Sequence, residues 1–285
     1  MLNGRTRLIC TLGDPVSHSL SPLMHNTGFE LLDLEYAFLC FNTKIHQMEE
    51  TIAALKRLNA RGFSCTMPVK VRAYELADHL SPAAELMQAV NCAVIEDDKV
   101  YGYNTDGIGF TTAIREAGHD FTGRKVTLLG GGGVATAMAV QTALEGAAEI
   151  SIFNRPGKSF DRVTALAERL QSRTDCKIGL YDINDADRLK GEVGESCVLA
   201  NGTSVGMAPN PDASPISDLS IFHKDLLVTD AVYNPLETKL VSDAKSCGCE
   251  AFGGLAMLLY QGAAAFKLWS GEEMPVEEVK QRLFK

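Results

Sequence analysis

VTLLGGGGVATAMAV, residues 126–140, runs from β-branched and apolar residues through four consecutive glycines into an alanine-rich, helix-forming stretch. Gly130, Gly132 and Ala135 satisfy the spacing G-x-G-x-x-A, and they do so between an expected strand and an expected helix, the setting that a dinucleotide-binding βαβ unit requires. Glycines let the backbone turn tightly and approach a pyrophosphate. A helix beginning near Gly133 would direct unpaired N–H groups and the positive end of its dipole at the same point. Gly130, Gly132, Gly133, Val134 and Ala135 are therefore the expected cofactor loop. On this window alone, a tight turn that merely packs helix on strand remains open.

The next strand, EISIFN, ends where a dinucleotide fold that prefers NAD carries an acidic residue for the ribose 2′-hydroxyl. Here the chain reads Asn154, Arg155, Pro156, Gly157, Lys158. Two cations and no carboxylate suit a 2′-phosphate, since arginine forks to its oxygens and lysine adds a point charge. NADP is favoured over NAD. A solvated basic turn, which would leave NAD usable, is the plainer reading of the same residues.

Outward from this unit, apolar runs alternate with helical patterns along the chain. Residues 7–12, 36–41, 61–66 and 92–96 read as strands, with helices near 22–33, 46–59, 68–78 and 106–117. A second series of strands lies at 125–129, 149–153, 177–181, 196–200 and 226–230, with helices between the first of them. The rhythm is α/β with open sheets. At 285 residues, two domains are expected: 1–117 with about 255–285, and 118–254, the crossing lying just before or within the polar segment GHDFTGR, residues 118–124. The terminal helical pair is expected to pack back on the first domain. Residues 206–225, rich in Pro, Asp and Ser, read as a surface loop.

Composition narrows the function classes. With 46% hydrophobic and 22% charged residues the chain reads as an ordinary soluble protein, and no apolar run approaches the roughly 20 residues needed to cross a bilayer. The first residues lack the long apolar region of a secretory signal, so a cytoplasmic location is expected. A formal charge of −9 argues against a nucleic-acid surface. Eight cysteines are scattered; only Cys247 and Cys249 are close, too tight for a usual zinc site, so reduced buried thiols and no metal are expected.

The first domain carries four polar stretches at expected strand ends: HSLSP (18–22), SCTMPVK (64–70), AVNC (89–92) and GYNTDGIGF (102–110). In open α/β sheets such ends converge on the ligand crevice. Ser19, Ser21, Thr66 and Asn91 offer hydroxyl and amide groups to a carboxylate or hydroxyls, and Lys70 with Asp106 is a titratable pair. Read locally, Thr105 or Asp106 would simply cap the helix that follows.

HSLSP, T-x-P-x-K, AVN, GYNTDG, the glycine loop, NGTSVGM (201–207), DAVYNP (230–235) and MLLYQGA (257–263) stand in the order found in the shikimate dehydrogenase family, which the chain resembles from about residue 10 to about residue 270. The stretch NRPGKSFDR and the loop lengths look closer to its quinate/shikimate dehydrogenase branch. The resemblance implies a Rossmann-type NAD(P) domain, a substrate domain, and interconversion of shikimate with 3-dehydroshikimate, with quinate and 3-dehydroquinate as a second pair. It also implies that Lys70 and Asp106 are the catalytic dyad and that Ser19, Ser21, Thr66, Asn91, Gln261 and Tyr233 contact the cyclitol acid. Asn154, Arg155, Lys158, Thr203, Val232 and Gly254 join the glycine loop on the cofactor. A monomer or homodimer is expected, with no nucleic-acid or membrane partner.

The chemistry needs such a pair. Oxidising a ring alcohol sends a hydride to nicotinamide and a proton to a group within hydrogen-bond reach, and an ammonium beside the oxygen stabilises developing negative charge. Which of Lys70 and Asp106 carries the proton stays open. Three positions depart from the commonest family pattern: Ser64 for asparagine, Val69 for a polar residue and Cys92 for threonine. They shorten or remove hydrogen-bonding groups and bear on the choice among shikimate, quinate and analogues. Two other readings are a dehydrogenase of another hydroxylated or aminated ring acid, and a non-catalytic nucleotide-sensing protein on the same fold.

Overall fold

The computed structural model describes residues 2–283. The chain divides into two compact units, one running up to Gly109 and resuming at Leu259, the other spanning Phe110–Leu258.

The first unit is built on strands β1 (Arg7–Gly13), β2 (Tyr36–Asn42), β3 (Gly62–Cys65), β4 (His79–Leu80), β5 (Cys92–Glu96) and β6 (Lys99–Tyr103), in the order β2-β1-β3-β5-β6-β4. β1 pairs in parallel with β2 and β3, but β5 runs antiparallel to both β3 and β6. The sheet is mixed, and its β5–β6 hairpin had no counterpart in the sequence pattern. Asp97 and Asp98 make the two-residue turn, both with positive φ (49° and 59°), as a primed hairpin turn demands.

Helices α1 (Ser21–Leu31), α2 (Met48–Arg57), α3 (Lys70–Glu75) and α4 (Pro82–Met87) fill the connections. In α2 the buried Met48, Ile52 and Leu55 recur at helical spacing, and acids in the first turn with bases in the last oppose the dipole. That stripe packs with Cys10, Leu12 and Phe63 on one face of the sheet. The other face is covered by α1 and by the C-terminal helices. There His25 stacks on Phe38, and Phe29 on Phe266.

The second unit holds β7 (Lys125–Leu129), β8 (Glu149–Asn154), β9 (Lys177–Asp182), β10 (Val198–Asn201), β11 (Leu227–Asp230) and β12 (Glu250–Phe252), all parallel, in the order β12-β11-β10-β7-β8-β9. This is the doubly wound dinucleotide-binding topology, with its switch point between β7 and β10. Its connections carry α6 (Gly133–Leu144), α7 (Lys158–Arg173), α8 (Ala186–Gly194) and α9 (Lys239–Ser246).

The chain passes between units inside two helices, α5 (Asp106–Glu116) and α10 (Leu255–Ser270), and ends in α11 (Val276–Leu283). The sequence reading set these crossings just before or within 118–124 and at about 255. In α5, Phe110, Ala113 and Ile114 are buried, and Thr111 Oγ1 donates to Glu145 at 3.0 Å, which ties the helix from Phe110 onward to the second unit. Beyond the crossing in α10, Trp269 is buried in the first unit, as expected for the terminal pair. The 206–225 stretch is irregular, anchored by buried Ile216 and Ile221.

Candidate functional site

In the first unit, the mixed topology gathers the polar stretches at one sheet edge. Ser19 and Ser21 follow the C-terminal end of β1, and Thr66 and Lys70 follow that of β3. Because β5 is antiparallel to β3, its first residue Cys92 pairs with Ser64, and Cys92 in turn pairs with Tyr103 at the end of β6. Asn91 and Asp106 flank that row and so reach the same edge. The hairpin missed in the sequence is what brings them there.

Lys70 opens α3 and Asp106 opens α5. Lys70 Nζ donates to Asp106 Oδ2 at 2.6 Å, and both side chains are largely shielded, with 29% and 16% of their surface exposed. The second carboxylate oxygen accepts from Asn91 Nδ2 at 2.7 Å. Asn91 is itself buried and held by Thr105, whose backbone N–H donates to Asn91 Oδ1 at 2.7 Å. Asn104 completes the frame: Asp106 N–H donates to its Oδ1 at 3.2 Å, and its Nδ2 donates to the Ala89 carbonyl at 3.1 Å. The carboxylate thus has both oxygens fixed, and the ammonium keeps donor capacity for an oxygen of a bound molecule. Such a pair can orient an alcohol or ketone oxygen, exchange its proton and stabilise negative charge on it.

Ser19 and Ser21 are half-buried, with the Ser21 N–H donating to Ser19 Oγ at 3.3 Å. Thr66 is half-buried too, and a Cβ at Gly13 would stand 2.4 Å from its methyl group. Gln261 is half-buried on α10 in the same unit, whereas Tyr233 is exposed and belongs to the second unit. His18 is exposed. Of the three departures from the family pattern, Val69 and Cys92 are fully buried and serve packing. Ser64 alone is half-exposed, and its hydroxyl pairs with Thr11 Oγ1 at 2.8 Å. Burial, with Cys65 and Asp106 close by, pushes the Cys92 thiol well above its ordinary range, and burial holds Cys65 up at about 12 despite Lys70.

In the second unit the glycine loop follows β7. Gly130 has φ of +113°, and a Cβ there would stand 2.9 Å from the Thr203 methyl; at Gly131 it would stand 2.4 Å from Asn154 Nδ2. Ala135 is buried against Gly202, where an added Cβ would come within 2.6 Å of the alanine methyl. Gly132, Gly133 and Val134 are exposed at the start of α6. Beside them opens a cavity of about 800 Å³ lined by Gly130–Gly132, Asn154, Arg155, Ser159, Arg162 and the segment from Gly202 onward. Val232 and Gly254 lie outside that lining and are tied to each other, the Gly254 N–H donating to the Val232 carbonyl at 2.9 Å.

This cavity fits a dinucleotide: the backbone lies open where glycines replace side chains, the N-terminus of α6 has no side-chain cap, and Arg155 and Arg162 are on the lining. The sequence reading paired Arg155 with Lys158. Lys158 is exposed and lies outside the lining, and Arg162 is the second cation on it. The signal was present, since a helix begun at Lys158 sets Ser159 and Arg162 three residues apart on one face. Residues 206–215, read only as surface, form much of the cavity's other wall. Among the described residues no group of His, Cys, Asp and Glu could hold a metal ion, and no helix is long and apolar enough to cross a membrane.

Residues 11–93 match the profile of the shikimate dehydrogenase substrate binding domain, and residues 254–284 that of the shikimate 5′-dehydrogenase C-terminal domain. A shikimate dehydrogenase (NADP(+)) of Listeria monocytogenes is 41% identical over 283 residues, covering 99% of this chain and 97% of the relative. A quinate/shikimate dehydrogenase of Escherichia coli is 41% identical over 280 residues, covering 98% and 97%. The crystal structure of a Listeria monocytogenes shikimate 5-dehydrogenase in complex with shikimate and NAD superposes with a TM-score of 0.97, at 41% identity, covering 99% of this chain and 98% of that one.

Proposed function

Because this chain belongs to the shikimate dehydrogenase family, we propose that it is an NAD(P)-dependent oxidoreductase that interconverts shikimate and 3-dehydroshikimate. The observation that carries this reading is the Lys70–Asp106 pair at 2.6 Å with Asn91 on the second carboxylate oxygen. Quinate is included as a second substrate, supported by the relative named for both activities.

When bound, the nicotinamide cofactor supplies the hydride acceptor or donor. The chain's own residues do the rest. On reduction the Lys70–Asp106 pair gives one proton to the oxygen of the reacting ring carbon, toward which Lys70 Nζ donates, and on oxidation the pair, having lost that proton, takes it back from the hydroxyl. Asp106 Oδ2 orients the ammonium, and Asn91 and Thr105 keep the carboxylate from rotating. Ser19, Ser21, Thr66, Asn91, Gln261 and Tyr233 are the proposed contacts to the acid and its remaining hydroxyls. Gly130, Gly132, Gly133, Val134, Ala135, Asn154, Arg155, Thr203, Val232 and Gly254 are the proposed cofactor contacts, and Arg162, on the cavity wall, takes the place of the exposed Lys158 as the second cation. The unit up to Gly109 with the segment from Leu259 is the proposed substrate domain, and Phe110–Leu258 the proposed cofactor domain. A cytoplasmic monomer or homodimer completes the proposal.

The test follows the absorbance of reduced nicotinamide with shikimate and quinate, each crossed against NADP and NAD. Turnover of shikimate with NADP supports the reading. Silence in all four combinations with cofactor still bound would move the assignment to another ring acid, and cofactor binding without turnover of any ring acid would favour a nucleotide-sensing protein.

A further inference from the structure

Asn201 and Asp230 are the last residues of two neighbouring strands, β10 and β11, and stand opposite each other in register. Both are buried, at 0% and 3% exposure. Asp230 Oδ1 accepts from Asn201 Nδ2 and from the Val232 backbone N–H, each at 2.9 Å, and Oδ2 accepts from Thr238 Oγ1 at 2.7 Å. Burial raises the pKa of this carboxyl above the usual carboxylate range, and the three donors oppose that shift.

Each donor leads to a different piece of loop. Thr238 caps α9, so the bond on Oδ2 fixes the far end of the 231–238 turn, and Val232 fixes its near end. Asn201 passes the constraint to the other side: its Oδ1 accepts from the Thr203 N–H at 3.0 Å and Thr203 Oγ1 at 2.7 Å, and its Nδ2 also reaches the Val205 carbonyl at 3.2 Å. Thr203 in turn touches the first glycine of the loop after β7, since a Cβ on Gly130 would stand 2.9 Å from its methyl. Gly202, Thr203, Ser204 and Val205 all line the cavity.

Resting on the cofactor reading above, we propose that Asp230 is a positioning residue for the nucleotide cavity, its carboxylate bracing the 202–206 segment of the cavity wall against the 231–238 loop behind it. Only an acceptor with two oxygens and no donor serves three hydrogen-bond donors at once. An apolar residue would leave the Asn201 and Val232 N–H groups buried without a partner, and the wall would loosen.

The experiment uses the full chain and compares D230A, D230N and T238V with the unaltered protein. KM for NADP, KM for shikimate, kcat and thermal midpoint are measured for each. We expect D230A to raise the KM for NADP by about tenfold, the scale of an orphaned buried donor, with the KM for shikimate within twofold. D230N keeps one oxygen for Asn201 and Val232 and recovers most of that loss. T238V removes one donor and gives a smaller rise in the same parameter, which keeps the test open if D230A does not fold. Unchanged cofactor KM in D230A, or in T238V should D230A not fold, overturns the proposal. Equal losses in both KM values that follow the thermal midpoint, with no recovery in D230N, overturn it as well. Failure of the unaltered protein to bind NADP or NAD by calorimetry would instead remove the cofactor reading on which the proposal stands.

Discussion

The Trp269 indole N–H donates to the Ala93 carbonyl at 2.9 Å, joining α10 to the middle of the first sheet across 176 residues of chain. Gly62 makes room for it: a Cβ there would stand 2.2 Å from that carbonyl and 2.7 Å from the indole nitrogen. Arg61 adds a bond from Nε to the Trp269 carbonyl at 2.8 Å. Trp269→Ala should therefore cost about 3–5 kcal/mol, as for other large-to-small changes in a core, read from urea unfolding. A loss under about 1 kcal/mol would mean that the helix is held by other contacts.

His25 is enclosed by Phe29, Phe38, Phe266 and Trp269, and its Nδ1 has no hydrogen-bond partner. Burial lowers its pKa from 6.5 to about 3. Between those values the unfolded chain binds a proton that the folded chain refuses, so stability falls as pH falls through that window, by about 1.4 kcal/mol per pH unit. The group costs nothing above pH 6.5. His25→Phe should flatten this limb, so that from pH 6.5 to 5 the unaltered protein loses roughly 2 kcal/mol more than the variant. Parallel slopes in urea titrations at the two pH values would rule this out.

Lys70 and Asp106 are in direct contact at 2.6 Å, and under the proposal that they transfer the proton as one unit their removal should not add. Lys70→Ala and Asp106→Asn are each expected to lower kcat by about a hundredfold or more, and the double variant by little beyond the worse single one. NADP affinity, measured by calorimetry, should stay within twofold. Additive losses would show two independent roles.

Arg162, and not Lys158, lines the cavity beside Arg155. Arg162→Ala should raise the KM for NADP by about tenfold through the loss of a charge-assisted contact to phosphate, with the KM for NAD little changed. Lys158→Ala should move either value by less than about twofold. The reverse ranking would return the role to Lys158.

The features legible in the sequence were those with a steric or periodic cause. The glycine loop needs a positive φ at Gly130 and small residues at Gly131 and Ala135, where larger side chains would clash with their neighbours. The β7 and β8 runs read as strands because they are short, rich in β-branched and apolar residues and buried on both faces of a parallel sheet. The β5–β6 hairpin stayed hidden because its turn is Asp97–Asp98, without the glycine that usually marks such a turn. β4 and β12, of two and three residues, are too short to show a period. The polar segment 118–124 looked like a linker, yet Phe121 within it is fully buried and lies under the Arg115 guanidinium. Lys70, Asp106 and Asn91 were each legible, but their convergence was not, since it depends on strand direction.

The discontinuous first unit has a consequence for how the protein is made. Phe110–Leu258 is one uninterrupted stretch and can complete its sheet as soon as it clears the ribosome. The β2-β1-β3 face that awaits Phe266 and Trp269 has been synthesised long before them, and at 5–20 residues per second it stays without them for roughly ten to forty seconds. During that interval Phe38 and the aromatic face around it are open to other nascent chains, so the early part of this protein is a natural client for a chaperone that shields apolar β-surfaces.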